Sequence, residues 1–377
     1  MEIYLDNAAT TRVCPEAAEA AMHVMLETYG NPGSTHTKGR EARAVLDQAR
    51  KAVAAGLGCA EKELIFTSGG TESDNWAIRG AVRAQRRKGK HVISSLTEHD
   101  AVRKTLEELS AAGCEVTLLP PGPDGAVSPE AVRAALRPDT VLVSLMLVNN
   151  ETGAVTDIAG VSRVLREEKS PALLHTDAVQ GFMKLPFTPK SLGADLISVS
   201  GHKIHAPKGI GALYVRSGVR LEPMLTGGGQ ENGLRSGTEP LPQIAAFAEA
   251  VRQAKSAMPE ASARMAELRQ YCEETLSRKL PNAVFLPGGA SHILSLSLPG
   301  YRSEVLMNYL EAKGICVSKS SACKRGRRSH VLEAMGVPDR VIDGALRLGF
   351  SRYTTREECE IFCSELVNAA GELRTAL

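Results

Sequence analysis

The sequence lacks the apolar stretches that membrane insertion and export require. None of its apolar runs reaches roughly 18 residues, so the sequence predicts no transmembrane helix. The opening residues, MEIYLDNAATT, contain neither the charged segment nor the apolar segment of a secretory signal peptide. We therefore expect a cytoplasmic protein that makes no membrane contact.

The cysteines lack the spacings that mark metal sites, and no CxxC pair occurs. Without an export signal, a disulfide framework is not expected either. Cys359 and Cys363 share one face of a predicted terminal helix, but no histidine lies near them in the sequence, so no metal site is predicted. Most of the eight cysteines are interpreted as small buried hydrophobic residues. The eight are Cys14, Cys59, Cys114, Cys272, Cys316, Cys323, Cys359 and Cys363.

A strong net charge is also missing, as are the glycine-rich motifs of nucleotide-binding proteins. The 45 lysines and arginines nearly balance the 43 acidic residues, which leaves a net charge of +2. That balance weakens the case for a protein that coats nucleic acid. The sequence contains neither a Walker loop nor GxGxxG, which counts against nucleoside triphosphates and dinucleotides as ligands.

What the sequence does contain, from about residue 60 to 215, is an alternation of strand-like and helix-like segments. The strand-like segments are rich in β-branched and aliphatic residues: ELIFTS (63–68), HVISS (91–95), EVTLL (115–119), TVLVSLM (140–146), ALLHTD (172–177), DLISVS (195–200) and GALYV (211–215). Because helical patterns separate them, they predict an α/β fold with a mostly parallel sheet flanked by helices.

A change of pattern after about residue 240 predicts a second, smaller α/β domain. A long helical stretch covers 241–279, with a candidate interruption at Met258-Pro259. Short strands follow it, and a last helix begins near Thr355. We predict a large domain over 15–257 and a small domain made of 1–14 and 258–377.

Two of the predicted strands are followed by residues suited to an aldehyde and to a phosphate. Lys203 follows DLISVS and could form a Schiff base, although a surface lysine is the more common explanation of such a position. Gly69, Gly70 and Thr71 follow ELIFTS at a helix start, where free N–H groups favour an anion. An N-capped helix after a tight turn explains the same residues equally well.

Two more strands end in residues that could act on a planar ring. Asp177 ends ALLHTD and could pair with a protonated ring nitrogen, although such an aspartate is more often a helix cap. His99 follows HVISS and could stack on the ring and move protons, although a single histidine is usually structural. A Schiff-base lysine, a phosphate cradle, a ring-nitrogen acid and a stacking histidine together favour pyridoxal phosphate.

Ordered motifs along nearly the whole chain carry a family resemblance. They are YLDNAATT (4–11), YGNPGSTHTKG (29–39), FTSGGTESDN (66–75), TEHDAV (97–102), VNNETG (148–153), HTDAVQ (175–180), SGHKIHAPKGIGALYV (200–215), GGGQENGLRSGT (227–238), SSAC (320–323) and RYTT (352–355). Through them the chain resembles the cysteine desulfurases, the bacterial NifS/IscS-like enzymes in class V of the aminotransferase superfamily. The resemblance implies the fold type I architecture of pyridoxal-phosphate-dependent transferases.

The resemblance implies pyridoxal 5'-phosphate as the cofactor, held by the large domain and attached to Lys203. Asp177 would pair with the pyridine nitrogen, His99 would stack on the ring and Gln180 would lie near the ring hydroxyl. The residues implied at the phosphate are Gly70, Thr71, Ser200, His202 and, from the other subunit, Thr238. The protein would therefore be a homodimer with shared active sites.

The resemblance also implies the substrate and the products. Asn150 would contact the cofactor or the substrate, and Arg347 would clamp the carboxylate of L-cysteine, for which its planar fork is suited. Cys323, on a loop of the small domain, would be the nucleophile. The products would be L-alanine and a persulfide on Cys323, which passes its sulfur to an acceptor. Cys316, in a predicted apolar strand, is expected to be dispensable.

The segment VSKSSACKRGRRSH (317–330) leaves the sulfur acceptor open. Its cations Lys324, Arg325, Arg327 and Arg328 could favour the thiolate, recruit an acidic acceptor protein (a scaffold or carrier), or contact phosphates. Iron–sulfur cluster biogenesis, tRNA thiolation and cofactor biosynthesis are all open destinations for the sulfur.

Two alternatives to a cysteine desulfurase stand beside it. One is a selenocysteine lyase or another class V reaction, such as transamination, on the same cofactor. The other is a tRNA-binding sulfur carrier that uses the basic loop. No aromatic residues are interleaved with the loop cations, so stable nucleic-acid binding is not expected.

Overall fold

The computed structural model of the chain describes residues 2–319 and 328–373. Its strands are β1 (Ile3–Tyr4), β2 (Leu64–Thr67), β3 (His91–Ser95), β4 (Glu115–Leu119), β5 (Thr140–Ser144), β6 (Leu173–Asp177), β7 (Leu196–Ser200), β8 (Gly211–Val215), β9 (Val284–Phe285), β10 (Ile293–Ser297), β11 (Ile315–Cys316), β12 (Ser318–Lys319) and β13 (Ala345–Gly349). Its α-helices are α1 (Pro15–Leu26), α2 (Thr37–Leu57), α3 (Gly70–Gln85), α4 (Asp100–Ala111), α5 (Pro129–Ala135), α6 (Ile158–Glu167), α7 (Pro189–Leu192), α8 (Leu241–Lys279), α9 (Ser303–Ala312), α10 (His330–Ala334), α11 (Asp339–Asp343) and α12 (Arg356–Glu372).

A sheet with the strand order β2-β8-β7-β6-β5-β3-β4 forms the centre of the fold. The pairs from β7 through β6, β5 and β3 to β4 are all parallel, whereas β8 runs antiparallel to both of its neighbours. Most of these strands are buried along their whole length, which explains their continuous apolar character. The predicted mostly parallel sheet flanked by helices is confirmed.

The carboxyl ends of β2, β3, β6 and β7 meet at one edge of this sheet, because the four strands point the same way. Ligands collect at that edge in open α/β sheets. Helix α3 begins directly after β2, and α4 begins shortly after β3. The fold therefore brings the polar residues that follow these strands to a common site.

Helix α8 is continuous through Pro259, so the candidate interruption at Met258-Pro259 is wrong. A proline removes one backbone donor and leaves the carbonyl of the residue four positions earlier without its partner. Pro259 and Lys255 are both exposed, so water can solvate that carbonyl and the helix persists.

The two ends of α8 pack into different hydrophobic clusters. Its first part, up to Val251, packs with the central sheet, whereas the part from Met265 to Leu276 packs with the C-terminal strands and α12. The strands beside that second cluster are β12, β13, β10 and β9, in that order, while β1 pairs in parallel with β11. The predicted domain boundary at residue 257 falls inside α8 and stays a prediction.

Strand β13 was not predicted, and it carries Arg347 opposite Ser295 of β10 and Ser318 of β12. As for membranes, none of the helices in the described part of the chain is long and apolar enough to span a bilayer.

Candidate active site

Lys203 lies at the carboxyl end of β7, on a short 3₁₀ turn over Gly201–Lys203. Its Nζ donates hydrogen bonds to the carbonyl oxygens of Ala8 (2.7 Å) and Ala9 (2.6 Å) in the N-terminal segment. Because these two carbonyls orient the amine, Lys203 is held at the sheet edge rather than extended into solvent. The structure thus places the predicted Schiff-base lysine at the end of a central strand.

Asp177 ends β6, the strand next to β7, and is buried. One carboxylate oxygen, Oδ1, accepts a hydrogen bond from the N–H of Val179 at 2.9 Å. Burial raises the pKa of Asp177, while electrostatic interactions with His99 and Lys203 and the Val179 N–H act in the opposite direction. Because β6 and β7 are parallel neighbours, Asp177 and Lys203 lie at the ends of adjacent strands.

Further buried ionisable groups lie behind Asp177. Burial, and next the charge of Asp177, raise the pKa of Asp74 well above its usual range. Burial raises the pKa of Glu98 to about 8 and lowers that of His175 to about 3. Since these groups favour their neutral forms at pH 7, the negative charge of this cluster concentrates on Asp177, the carboxylate beside Lys203.

His99 caps the N-terminus of α4, where its Nδ1 accepts a hydrogen bond from the N–H of Ala101 at 3.1 Å. In the neutral ring the proton therefore lies on Nε2. The cap fixes the plane of the imidazole beside Asp177, which suits a ring that stacks on a flat ligand.

A glycine turn precedes α3 and opens space at its N-terminus. Gly69 has φ of 148°, in the region that favours glycine, and α3 starts at Gly70. A Cβ on Gly70 would lie 2.7 Å from Val179 Cγ2, so this close approach also requires glycine. Thr71 is exposed and Ser200 is buried beside Gly70, which leaves a helix N-terminus facing the space above β7.

His202 and Gln180 attach this edge to the N-terminal segment. The Nδ1 of His202 lies 3.2 Å from Thr10 Oγ1, and burial, followed by the charge of Lys203, lowers the pKa of His202 to about 4. The Nε2 of Gln180 donates to Ala8 O at 2.8 Å, the same carbonyl that accepts from Lys203.

Arg347 and Asn150 meet on the C-terminal side of the site. The Nη1 of Arg347 donates to the carbonyl of Asn150 at 2.8 Å, and Nη2 donates to Asp6 Oδ1 at 2.9 Å. The third donor, Nε, is buried without a hydrogen-bond partner among residues 2–319 and 328–373. Arg347 is 1% exposed, so a bidentate contact of Nη1 and Nη2 with a ligand requires that a present partner gives way.

Thr238 is exposed in the segment before α8, and its side chain has no hydrogen-bond partner in the described residues. The same segment is anchored at Glu231, which receives a bidentate ion pair from Arg50 (2.6 and 2.9 Å) and the N–H of Phe66 (3.0 Å). The structure does not bring Thr238 into hydrogen-bond contact with the other predicted site residues.

Cys323 lies outside the described residues, as do Lys324, Arg325 and Arg327. Arg328 is described, and its guanidinium pairs with Asp339 (2.5 Å) and Asp343 (2.8 Å). One of the four loop cations is therefore already engaged by carboxylates of its own chain. Cys316 lies in β11, as predicted.

Several groups that shape this site were not predicted from the sequence. The Ala8 and Ala9 carbonyls accept hydrogen bonds from Lys203. Every residue has a backbone carbonyl, so the residue types in the sequence do not indicate this role. Glu98, beside His99, and Lys184, a buried lysine near Gln180, were also not predicted. The apolar residues around Lys184 in GFMKLPF were the available signal for its burial.

Comparisons with known proteins identify the family of the chain. The family model for class V aminotransferases, Aminotransferase class-V, matches residues 3–362. The cysteine desulfurase IscS of Methanosarcina thermophila is 42% identical over 364 residues, which cover 95% of this chain and 89% of that protein. The cysteine desulfurase IscS of Dictyoglomus turgidum is 39% identical, with 99% and 96% covered. A solved structure of a NifS-like protein superposes with a TM-score of 0.93 at 37% identity, covering 99% of this chain and all of that one.

Proposed function

The chain belongs to the class V aminotransferases and, within them, to the cysteine desulfurases, and from that premise we propose how its residues carry out the reaction. The substrate is L-cysteine, and the products are L-alanine and a persulfide on Cys323. The observation that supports this best is Lys203 at a strand end beside Asp177 and His99.

The residues at the sheet edge fit pyridoxal 5'-phosphate. Asp177 would pair with its pyridine nitrogen, His99 would stack on its ring, and Gln180 would lie near the ring hydroxyl. Its phosphate would lie at the N-terminus of α3, which begins at Gly70, and Thr71, Ser200 and His202 would hold it there. When bound, this cofactor accepts the substrate amine on its aldehyde carbon and withdraws electrons from Cα.

A second copy of the chain completes the site. Thr238 is exposed and would reach the phosphate bound by the other subunit. Helix α1 exposes Met22, Met25 and Leu26, which helical spacing puts on one face. A monomer leaves this apolar face in water, and a symmetric dimer would bury it.

Lys203 binds the cofactor and afterwards carries protons to and from the substrate. Its amine is already oriented by two carbonyls, so little reorganisation precedes either task. Arg347 and Asn150 hold the substrate carboxylate, which takes the place of a present partner of the guanidinium. Cys323, as the thiolate, then attacks the substrate sulfur, and the bond between Cβ and sulfur breaks with its electron pair left on the carbon side. Cβ takes up one proton to become the methyl group, Cα recovers the proton that it lost, and L-alanine leaves.

The persulfide sulfur passes to an acceptor protein, a scaffold or a carrier. The tRNA-binding alternative has less support, because the Arg328 charge is neutralised by Asp339 and Asp343. Selenocysteine lyase activity and other class V reactions remain alternatives on the same cofactor site, and comparison of cysteine, selenocysteine and cysteine sulfinate turnover separates them.

Incubation of the holoenzyme with L-cysteine tests the function directly. We expect L-alanine and protein-bound sulfane sulfur to form in equal amounts during the first turnover, because one carbon–sulfur bond yields one of each. Amino-acid analysis and cyanolysis of the protein measure the two products. Formation of pyruvate or of a keto acid in place of alanine, without sulfane sulfur, would contradict the proposal and favour another class V reaction.

Replacement of Arg347 by lysine tests the carboxylate clamp. We expect the KM for L-cysteine to rise by roughly 10- to 100-fold, because an ammonium cannot make the paired charge-assisted hydrogen bonds of the fork. Steady-state alanine formation measures the change, with a smaller effect expected on kcat. The matched control is Arg356→Lys, an exposed arginine nine residues later that pairs with Glu360 on its own helix. Equal KM values for the two variants would remove Arg347 from the substrate site.

A further inference from the structure

Lys184 is a buried lysine to which the proposed reaction gives no role. It follows Met183, whose φ of 57° lies in the left-handed region, and its side chain turns inward, so that the residue is only 8% exposed. Its Nζ donates to Gln180 Oε1 at 3.3 Å, and it forms no ion pair within the described part of the chain. Burial of a lysine without a carboxylate partner lowers the stability of the folded chain. We therefore expect Lys184 to have a role in the chemistry of the site.

Lys184 and Lys203 line the same cavity, whose volume of about 30 Å³ is enough for a water molecule. Met265, Phe350 and Ala254 supply apolar wall, and no carboxylate lines the cavity among the described residues. Gln180 joins the two lysines from the other side, since its Oε1 accepts from Lys184 and its Nε2 donates to the carbonyl of Ala8 that also accepts from Lys203.

The charged and titratable groups that act on Lys184 are all basic. Burial, then the charges of Lys203 and Arg347, lower the pKa of Lys184 to about 7. Lys184 in turn contributes to lowering the pKa of three nearby histidines: His202 and His205, which follow β7, and His292, which precedes β10. Two ammonium groups in one small cavity repel each other, so this pair of lysines favours a single shared proton near neutral pH.

The contacts indicate which amine holds that proton at rest. The Nζ of Lys203 has two carbonyl acceptors at 2.6 and 2.7 Å, whereas that of Lys184 has one amide oxygen at 3.3 Å. The ammonium form of Lys203 is therefore the better hydrogen-bonded of the two, so the proton stays on Lys203 and Lys184 is the neutral base beside it.

We propose that Lys184 is a positioning residue that accepts the proton of Lys203 across their shared cavity and so supplies Lys203 as the neutral amine that reacts with the aldehyde of pyridoxal phosphate. The inference rests on the proposed function, because it takes Lys203 as the cofactor lysine. The transfer moves one proton from the Nζ of Lys203 to the Nζ of Lys184. Lys203 then adds to the aldehyde carbon and one water leaves, so no oxidant or reductant is needed.

Lys184→Met removes the acceptor while nearly keeping the length of the side chain. With no second amine to take its proton, Lys203 stays protonated to higher pH, and we expect cofactor attachment at pH 7.5 to slow by roughly tenfold, equivalent to about one pKa unit. The pH midpoint of the attachment rate should move upward, and the variant and the wild type should converge at high pH, where Lys203 is neutral in both. The absorbance of bound pyridoxal phosphate, followed after mixing with apoprotein across a pH series, measures the rate.

Lys184→Met should raise the thermal stability of the apoprotein although it slows cofactor attachment. The folded-state pKa of Lys184 is below the ordinary lysine value near 10.4, so between about 7 and 10.4 the unfolded chain binds more protons and wild-type stability rises with pH. Methionine has no amine to deprotonate on folding, so Lys184→Met apoprotein should melt at a higher temperature than the wild type at pH 7. The difference in melting temperature should become smaller as the pH rises. A variant that attaches the cofactor more slowly yet melts at a higher temperature is not merely damaged.

Two further variants separate the explanations. Lys184→Gln keeps a polar partner for Gln180 but cannot take a proton, so it should shift the midpoint as Lys184→Met does; a wild-type midpoint in Lys184→Gln would overturn proton sharing in favour of a hydrogen bond to Gln180. Lys190→Met, at an exposed lysine six residues later, should behave as the wild type.

Borohydride trapping with peptide mass analysis shows where the cofactor is attached in the wild type. Attachment at a residue other than Lys203 contradicts the proposed function itself. Attachment at Lys203 with an unchanged midpoint in Lys184→Met overturns only the role of Lys184.

Discussion

Lys203→Ala should abolish both cofactor attachment and desulfuration. We expect turnover of L-cysteine to fall by roughly ten-thousandfold, which corresponds to about 5.5 kcal/mol of activation free energy, because in the proposed reaction one side chain supplies both the covalent anchor and the proton carrier. The purified variant should bind pyridoxal phosphate reversibly, with no borohydride-stable adduct. Alanine formation and the adduct mass measure the two effects.

The control for this prediction lies on the same loop. Lys208→Ala removes an exposed lysine five residues later and should leave turnover within about twofold, as surface changes usually do. A small primary amine added to Lys203→Ala should restore part of the activity, since the chemistry requires an amine at this position. Turnover of Lys203→Ala within tenfold of the wild type would remove Lys203 from the reaction.

The ends of the central strands were the part of the site that sequence could predict. Lys203, Asp177 and His99 each follow a short apolar segment, and parallel strands bring such positions to one edge whatever the details of packing. The alternation of strands and helices in the sequence therefore predicts that these residues lie together, without knowledge of individual contacts. Their individual roles came from the family motifs, because a lysine or aspartate after a strand is by itself ambiguous.

Contacts between distant parts of the chain were beyond sequence reasoning. Arg347 pairs with Asp6, 341 positions away, and lies on β13, a strand that was not predicted. The resemblance identified this arginine but not its burial between Asp6 and the Asn150 carbonyl. Similarly, a proline predicts a helix break, and only the exposure of Pro259 explains why α8 continues.

The electrostatics of the site also depend on the fold rather than on local sequence. Asp74, Glu98 and Asp177 come from three separate segments, and the fold buries all three, which raises the pKa of each. Of the three, only Asp177 has His99 and Lys203 acting against that rise. That asymmetry supports the proposed pairing of Asp177 with the ring nitrogen by a physical argument that is independent of the motif HTDAVQ.

Cys316 and Cys323 lie seven positions apart in the sequence. Burial raises the pKa of Cys316, and the carboxylates of Glu2, Glu311 and Asp6 raise it further, so this thiol stays protonated and is a poor nucleophile. Lys324 and Arg325 follow Cys323 directly in the sequence, and cations favour a thiolate. The chain thus offers its own comparison between a buried thiol near carboxylates and a cysteine that precedes two cationic residues in the sequence.

Cys323→Ala should therefore lose the persulfide, and alanine formation from L-cysteine should fall by at least about a thousandfold, or roughly 4 kcal/mol of activation free energy, because no thiolate remains to take the sulfur. Selenocysteine turnover should fall much less, since selenium leaves carbon with less help. Cys316→Ala is the matched control and should keep nearly full activity. Cyanolysis for sulfane sulfur and amino-acid analysis for alanine, run on both variants, measure the difference. Persulfide formation at the wild-type level in Cys323→Ala would transfer the nucleophile to another cysteine, and a matching loss in Cys316→Ala would identify which one.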